Sequence, residues 1–162
     1  MIQHPIEPVF DRESEILILG SFPSVKSREE GFFYGHPQNR FWKVLAAVCE
    51  EDTPTTIVDK KRFLLKNYIA VWDVIHSCDI EGSSDSSIKN VVPNDLSEIL
   101  EKADIRQIYV NGKKAEQLYK KYIFPQIGRE AICLPSTSPA NAAWNLEKLV
   151  DEWKRLLRFS GE

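Results

Sequence analysis

The segment EILILG, residues 15–20, is a short apolar run that ends at a glycine, a pattern typical of a β-strand. Similar runs follow at residues 68–75, 106–110 and 131–134. Helical patterns accompany these strands, and we expect helices over residues 39–49, 59–66, 93–102, 113–122 and 142–159. Strands that alternate with helices predict a parallel sheet with helices on both faces. The expected fold is therefore α/β, a three-layer α/β/α sandwich with a four-stranded parallel sheet.

Size and composition indicate one globular domain over residues 1–162. Hydrophobic residues make up 43% of the chain and charged residues 28%, which is ordinary for a soluble protein. No apolar run approaches the ~20 residues of a membrane helix, and the acidic N-terminal segment does not resemble a secretory signal. We therefore expect a monomer located in the cytoplasm, nucleoid-associated in a prokaryote, without a membrane partner.

The charge distribution leaves a nucleic-acid partner open. The net charge of −3 argues mildly against one, because domains that bind nucleic acids are often strongly basic. Residues 111–162, however, contain 9 basic and 6 acidic residues, so this part of the chain is weakly basic. Such a surface could face phosphates, and charge alone does not decide the question.

The polar segments that follow the predicted strands should lie together. In parallel α/β sheets, ligands bind outside the carboxyl ends of the strands. Here those ends are followed by GSFPS (20–24) and FFYGHPQN (32–39), by HSCD (76–79), by the Asn111-Gly112 pair, and by PSTSPAN (135–141). We expect all of them on one rim, where aromatic rings, amides and hydroxyls could bind the edge of a flat polar base and hold a water.

Several familiar chemistries lack their motifs. The chain contains no GxGxxG, GxxxxGK[ST] or GxSxG pattern, which argues against a dinucleotide site, a P-loop and a nucleophile elbow. The three histidines show no metal-ligand spacing, and the three cysteines show no CxxC spacing. We therefore predict no metal and no other cofactor.

Three motifs in chain order carry a family resemblance: GSFPS at 20–24, HPQNRFWK at 36–43 and LPSTSPAN at 134–141. Together they resemble the uracil-DNA glycosylase superfamily. With WDVI at 72–75 and SCD at 77–79, they are most similar to its deoxyinosine (hypoxanthine)-DNA glycosylase branch. The resemblance covers about residues 15–158 and implies the same four-stranded sandwich. It also implies hydrolysis of the bond between a deaminated base and deoxyribose, on DNA that contains such a base.

The resemblance assigns candidate roles around the base. Asn39 would position the attacking water, although it also stands where a helix N-cap is favoured. Phe22 and Tyr34 would stack on the flipped base, with core packing as the alternative for Phe22. Phe22 occupies the place of the catalytic Asn in the GINPG pattern of mismatch-specific glycosylases, so that chemistry does not transfer to position 22. Phe41 and Trp42 should belong to the core.

The remaining candidates would contact the base edge or the DNA backbone. Asp73, Ser77 and Asn111 could touch the base edge, although Asp73 could also cap a loop and Asn111 could be a turn residue. Residues 135–141 would form a phosphate clamp and a wedge, or else a turn that caps a helix. The residues assigned to DNA contact are Ser24, Ser136, Ser138, Pro139 and Asn141.

The resulting expectation is a monofunctional DNA glycosylase of base excision repair that prefers hypoxanthine. A backbone-cutting Schiff base needs an activated lysine, and Lys26, Lys43 and Lys113 lack an evident activating group. A uracil or mismatch glycosylase is the alternative within the class. An alternative from another class is a non-catalytic nucleic-acid-binding module on the same fold. The polar segment of residues 77–92 is expected to be a loop, and the sequence leaves open whether it closes over the base or only connects two elements.

Overall fold

The computed structural model describes residues 1–158. The strands within this range are β1 (Ile2–Gln3), β2 (Ile16–Gly20), β3 (Ile69–Asp73), β4 (Ile75–Asp79), β5 (Lys89–Pro93), β6 (Gln107–Asn111) and β7 (Ala131–Leu134). The α-helices are α1 (Val25–Glu30), α2 (Phe41–Val48), α3 (Ile57–Lys66), α4 (Ser97–Lys102), α5 (Lys113–Leu118), α6 (Phe124–Ile127) and α7 (Leu146–Trp153). None of these helices is both long and apolar enough to cross a membrane.

The predicted central sheet is confirmed. Its four strands lie in the order β3–β2–β6–β7, and every neighbouring pair is parallel. Successive residues of β2 alternate between two apolar layers: Ile16 and Ile18 pack with α2, α3 and α7, whereas Leu17 and Leu19 pack with α4 and α5. Phe41 and Trp42 are buried in the first layer, as predicted. Helices on both faces therefore complete the α/β/α sandwich.

The prediction of a loop over residues 77–92 is wrong. The predicted strand 68–75 ends at Asp73, and β4 begins at Ile75. Strands β1, β4 and β5 form a second, antiparallel sheet, in which Ser77 pairs with Gln3 and Val92. Its irregular register and polar residues hide the usual strand pattern, so only the pairing of distant segments reveals it.

Local hydrogen bonds explain the other shifted boundaries. Helix α1 lies between the first predicted strand and the first predicted helix, where no helix was expected. The Ser24 hydroxyl accepts the Ser27 N–H at its start, and Gly31 ends it in a left-handed conformation. Helix α7 begins after Asn145, whose side chain accepts the Lys148 N–H, instead of at residue 142. A 3₁₀ turn, Lys154–Arg158, follows it, and the predicted helix end at 159 lies outside the described residues.

Candidate active-site cleft

A cleft of about 630 Å³ lies at the carboxyl edge of the parallel sheet. Segments that follow β2, β6 and β7 line it together with the last residue of β3. The candidate residues that the structure brings together around this cleft are Phe22, Ser24, Tyr34, Asn39, Asp73, Asn111, Ser136, Ser138 and Pro139. The expectation of a common rim therefore agrees with the structure for these segments, whereas none of residues 76–79 lines the cleft.

Ser77 and Asn141 are absent from the residues that line the cleft. Ser77 is buried in β4, within the second sheet, so its position does not support the predicted contact with a base. Asn141 donates from Nδ2 to the carbonyl oxygen of Ser136 and from its backbone N–H to that of Ser138. These bonds hold the loop formed by residues 135–141 in a closed turn.

Asn39 and Asn111 are joined by the fully buried Thr137. The Thr137 hydroxyl donates to Oδ1 of Asn39 at 2.8 Å and accepts from Nδ2 of Asn111 at 3.0 Å. The Thr137 backbone N–H donates to Oδ1 of Asn111 at 3.1 Å, and that of Phe41 donates to Oδ1 of Asn39 at 3.0 Å. Sequence reasoning missed Thr137, although it stands between the two serines of the PSTSPAN motif.

The two backbone N–H groups fix the orientation of both side-chain amides. A backbone N–H can only donate, so each Asn must direct its oxygen toward it, and the Thr137 hydroxyl must then donate to Asn39. Within residues 1–158, Nδ2 of Asn39 has no hydrogen-bond partner. Asn39 therefore offers an N–H donor to the cleft, while its oxygen serves the start of α2.

Tyr34 forms part of the cleft wall under unusual constraints. Its backbone φ is +52°, a left-handed conformation that non-glycine residues seldom adopt. Its ring stacks on Phe41 with the centroids 3.8 Å apart. The hydroxyl is buried without a hydrogen-bond partner among residues 1–158. Burial, together with the nearby Asp73 carboxylate, raises the pKa of Tyr34, whereas the neighbouring Asn111 side chain opposes that shift without reaching the geometry of a hydrogen bond. The hydroxyl therefore stays protonated and remains a donor.

The position of Phe22 is compatible with both of its predicted roles. It lines the cleft and also packs, partly buried, against the apolar layer on the α4–α5 side of the sheet. The ring of His4 meets it edge-on with the centroids 5.9 Å apart, and the Arg28 guanidinium lies 5.6 Å from its centroid. The stacking surface is therefore held from behind by other side chains.

Asp73 ends β3 at the floor of the cleft and is buried. Its Oδ2 lies 2.8 Å from Nε2 of His4, which the sequence analysis did not single out. No local pattern could have found this pair, because the two residues lie 69 positions apart. Gly20, at the end of β2, leaves room for the other carboxylate oxygen: a methyl group at position 20 would lie 2.5 Å from Oδ1 of Asp73.

Arg40 fastens the loop of residues 135–141 to the start of α2. Its guanidinium donates to the carbonyl oxygens of Ser138 at 2.8 Å and Asn141 at 3.2 Å, and also to that of Trp144. The Thr137 carbonyl accepts from its backbone N–H at 3.1 Å. The Arg40 guanidinium thus makes its hydrogen bonds within the protein.

The tip of the β4–β5 hairpin adds residues that the sequence analysis left unassigned. Ser83, Asp85 and their neighbours line the cleft opposite Lys113 and Lys114. The Ser83 hydroxyl accepts the Val25 N–H at 2.9 Å, which ties the tip to α1. Partial burial of the carboxyl group raises the pKa of Asp85, and the positive charge of Lys114 opposes that shift. The residue as a whole remains exposed to solvent, which keeps the effect of burial modest.

The cleft offers no evident metal site. Among the described residues, no group of three or more His, Cys, Asp or Glu side chains is arranged to hold an ion. The groups that line the cleft are amides, hydroxyls, aromatic rings, one imidazole, two lysines and two carboxylates, of which that of Asp73 is buried. Such a set can bind the edges of a base and place a water.

Comparison with known proteins establishes the family. The model of the uracil DNA glycosylase superfamily matches residues 7–158. The chain therefore belongs to the uracil DNA glycosylase superfamily, which confirms the resemblance carried by its motifs.

Relatives indicate the branch. A hypoxanthine DNA glycosylase from Methanosarcina acetivorans is 36% identical, over 98% of this chain and 99% of that protein. A second, from Methanosarcina barkeri, is also 36% identical, over 83% of this chain and 85% of that protein. A solution NMR structure from Methanosarcina acetivorans, described as a proposed uracil DNA glycosylase, superimposes with a TM-score of 0.82 and 35% identity, covering 98% of each chain.

Proposed function

We propose that this protein is a DNA glycosylase that excises deaminated bases in base excision repair, with hypoxanthine as the preferred base. It acts as a single domain and a monomer, without a metal or other cofactor. The observation that carries this proposal is the convergence of Asn39, Tyr34, Asp73 and Asn111 on one cleft beside the serines of the 135–141 loop. The two Methanosarcina relatives described as hypoxanthine DNA glycosylases support the choice of base.

The damaged base would leave the duplex and enter the cleft. Flipping a nucleotide costs a few kcal/mol, and least where the pairing is already faulty, which favours damaged sites. The cleft volume of about 630 Å³ lies within the usual range of small-molecule sites. Tyr34 and Phe22 provide the flat surfaces, and Asp73 and Asn111 provide polar groups for the base edge.

The chemistry needs placement more than strong acid or base. As the glycosidic bond breaks, the sugar gains positive charge and the base gains negative charge. Asn39 holds the water through its free Nδ2, and the amide of Asn111 and the hydroxyl of Tyr34 donate toward the departing base. In other enzymes, each fixed donor aimed at developing charge contributes about 10²–10³ in rate.

The loop of residues 135–141 would grip the backbone. The hydroxyls of Ser136 and Ser138 accept backbone N–H groups at 3.1 and 3.2 Å, so their own O–H groups remain able to donate to a phosphate. Pro139 and the turn closed by Asn141 would fill the space that the flipped base leaves. Ser24 is less available, because its hydroxyl caps α1 and contacts that of Ser27.

Monofunctional action follows from the surroundings of the lysines. A Schiff base that leads to strand cleavage needs a desolvated lysine in the pocket. Lys113 and Lys114 line the cleft, but the first is exposed and the second only partly buried. We therefore expect an abasic site as the product, with the backbone intact.

The test uses three labelled duplexes that carry hypoxanthine, uracil or mismatched thymine at one site. Each is incubated with the protein in EDTA, and strand breakage is scored before and after hot alkali. Breakage only after alkali, strongest with hypoxanthine, is the expected result. Strongest breakage with uracil would overturn the substrate and keep the class. No breakage on any duplex would favour a binding module.

A further inference from the structure

His4 is a buried side chain that belongs to none of the recognised motifs. Its side chain is 2% exposed and that of Asp73 is 5% exposed, and Nε2 of His4 lies 2.8 Å from Oδ2 of Asp73. The residue follows β1, whose pairing with β4 brings the N-terminal segment to the end of the parallel sheet. The second sheet thus delivers one side chain to the floor of the cleft.

The surroundings of His4 fix both its tautomer and its orientation. Nδ1 accepts the Ile6 backbone N–H at 3.2 Å, so the ring proton must be on Nε2, which donates to Asp73. The His4 backbone N–H donates to the carbonyl oxygen of His76 at 2.7 Å. The rings of Phe22 and Trp72 meet the imidazole edge-on at 5.9 and 6.2 Å. His4 therefore cannot turn without losing several contacts.

The other groups at this point lie beside Gly20. A methyl group built at position 20 would lie 2.5 Å from Oδ1 of Asp73 and 2.9 Å from the hydroxyl of Tyr34. That hydroxyl lies near the Asn111 side chain but makes no hydrogen bond of normal geometry within residues 1–158, and it stays protonated. A hydrogen-bond acceptor and an unused donor therefore flank the same small space at the floor of the cleft.

An acceptor beside a donor matches the edge that deamination creates. Deamination turns a ring nitrogen with a lone pair and its neighbouring amino group into a ring N–H and a carbonyl. The Asp73 carboxylate can accept from that N–H, and the Tyr34 hydroxyl can donate to the carbonyl. Adenine would place its N1 lone pair against the carboxylate oxygen, which leaves buried polar groups unpaired and repels the base.

We propose that His4 is a positioning residue for base selection. It holds the Asp73 carboxylate by Oδ2 so that Oδ1 reads the ring N–H of the deaminated base. The same hydrogen bond takes up part of the carboxylate charge, which matters because the departing base becomes negative nearby. This inference rests on the proposed function, since it assigns the recognition step of the same site.

Paired variants at position 4 test the inference. His4→Gln keeps a side-chain N–H donor, whereas His4→Phe keeps a flat ring against its aromatic neighbours and removes the donor. His4→Leu replaces His4→Phe if that variant melts below the assay temperature. The matched control is His76→Leu, which changes an exposed histidine of β4 that does not line the cleft. Each variant is also made in an Asp73→Ala background.

The readouts are the single-turnover rate of hypoxanthine excision at saturating enzyme and the affinity for a duplex with a stable abasic-site analogue. We expect His4→Phe to slow excision by about 10- to 100-fold, the effect of losing a hydrogen bond to a charged group. We expect His4→Gln to stay within about threefold of wild type, because the donor is retained. Affinity for the abasic duplex should not change, since that duplex lacks the base. In the Asp73→Ala background, His4→Phe should cause no further loss.

Three results would overturn the inference. These are wild-type excision by His4→Phe, equal losses in His4→Gln and His4→Phe, or a full loss from His4→Phe in the Asp73→Ala background. Failure of the proposed function looks different, because the wild-type protein would then not excise hypoxanthine in the same assay.

Discussion

Thr137→Val replaces the hydroxyl that links the two amides by a methyl group of nearly the same size. Thr137 has no exposed surface, so water cannot take the place of that hydroxyl. The substitution removes the bond to Oδ1 of Asn39 and the bond from Nδ2 of Asn111. Asn39 keeps the bond from the Phe41 N–H, whereas the Asn111 amide loses the acceptor that it faced.

The expected cost follows from these two bonds. Each lost hydrogen bond contributes about 0.5–1.5 kcal/mol, and the half-buried Asn111 amide at the cleft can turn to water instead. The free energy of unfolding should therefore fall by about 1–3 kcal/mol. For a protein of this length, that corresponds to a decrease of roughly 2–12 °C in Tm. Hypoxanthine excision should slow by about 10- to 100-fold, because Asn39 is less firmly oriented.

Thr137→Ser is the matched control. It keeps the hydroxyl and removes one buried methyl group, for which the expected cost is about 1 kcal/mol. Urea unfolding gives the free energies, and single-turnover excision at a temperature where all variants are folded gives the rates. Wild-type stability and rate in Thr137→Val would refute the role of the hydroxyl. A serine variant as slow as the valine variant would assign the effect to packing of the methyl group.

The other substitutions address single groups of the cleft. Asn39→Ala should lower turnover by about 100-fold or more, whereas DNA binding, measured by fluorescence anisotropy, should be retained. Unchanged turnover would contradict the role proposed for Asn39. Tyr34→Phe deletes a buried hydroxyl without a partner, so it should raise the free energy of unfolding by about 1–2 kcal/mol and should slow excision. A less stable variant would mean that the hydroxyl forms a hydrogen bond in solution. Arg40→Lys should lower stability by about 1–3 kcal/mol in thermal melts, because one ammonium group cannot reach all the carbonyl oxygens that the guanidinium binds. An unchanged melting temperature would contradict this role of Arg40.

The local sequence pattern was sufficient to predict the parallel sheet. The apolar runs that became β2, β6 and β7 are short, continuous and ended by turn residues, so each could be recognised without its neighbours. Because the carboxyl ends of parallel strands share one edge, the order of elements also placed the motifs around a common rim. The cleft that Asn39, Asn111 and Ser136 line was therefore accessible to sequence reasoning.

The second sheet was not accessible in the same way. Residues 77–92 alternate irregularly between polar and apolar, and β1 has only two residues. Their stability as strands comes from pairing across the chain, as Ser77 pairs with both Gln3 and Val92, and no window of sequence contains that information. The contact between His4 and Asp73 depends on this pairing, so it could not have been predicted before the sheet was known.

The fold also settles where the hairpin tip lies. Residues 83–86 line the cleft, and Ser83 and Gly82 are joined to α1 through Val25 and Arg28. The segment is thus more than a connection between two elements, because it forms part of the cleft lining. Its exposed serines carry no apolar pattern, and a sequence reading could only describe them as a loop.

The N-cap of α2 is Arg40 and not Asn39, although the Asn39 side chain still contributes to the start of the helix. The oxygen of that side chain accepts the Phe41 N–H at the start of α2, and the same bond forces the nitrogen to face the cleft. Thr137 then fixes the oxygen from the other side. A side chain that accepts a backbone N–H at a helix start is held in one orientation. Such a side chain can place a water without having to reorient during the reaction. For a hydrolysis that needs a well-placed water more than a strong base, an amide held at a helix start is a suitable group, and this hydrogen bond supports the role that we propose for Asn39 in the cleft.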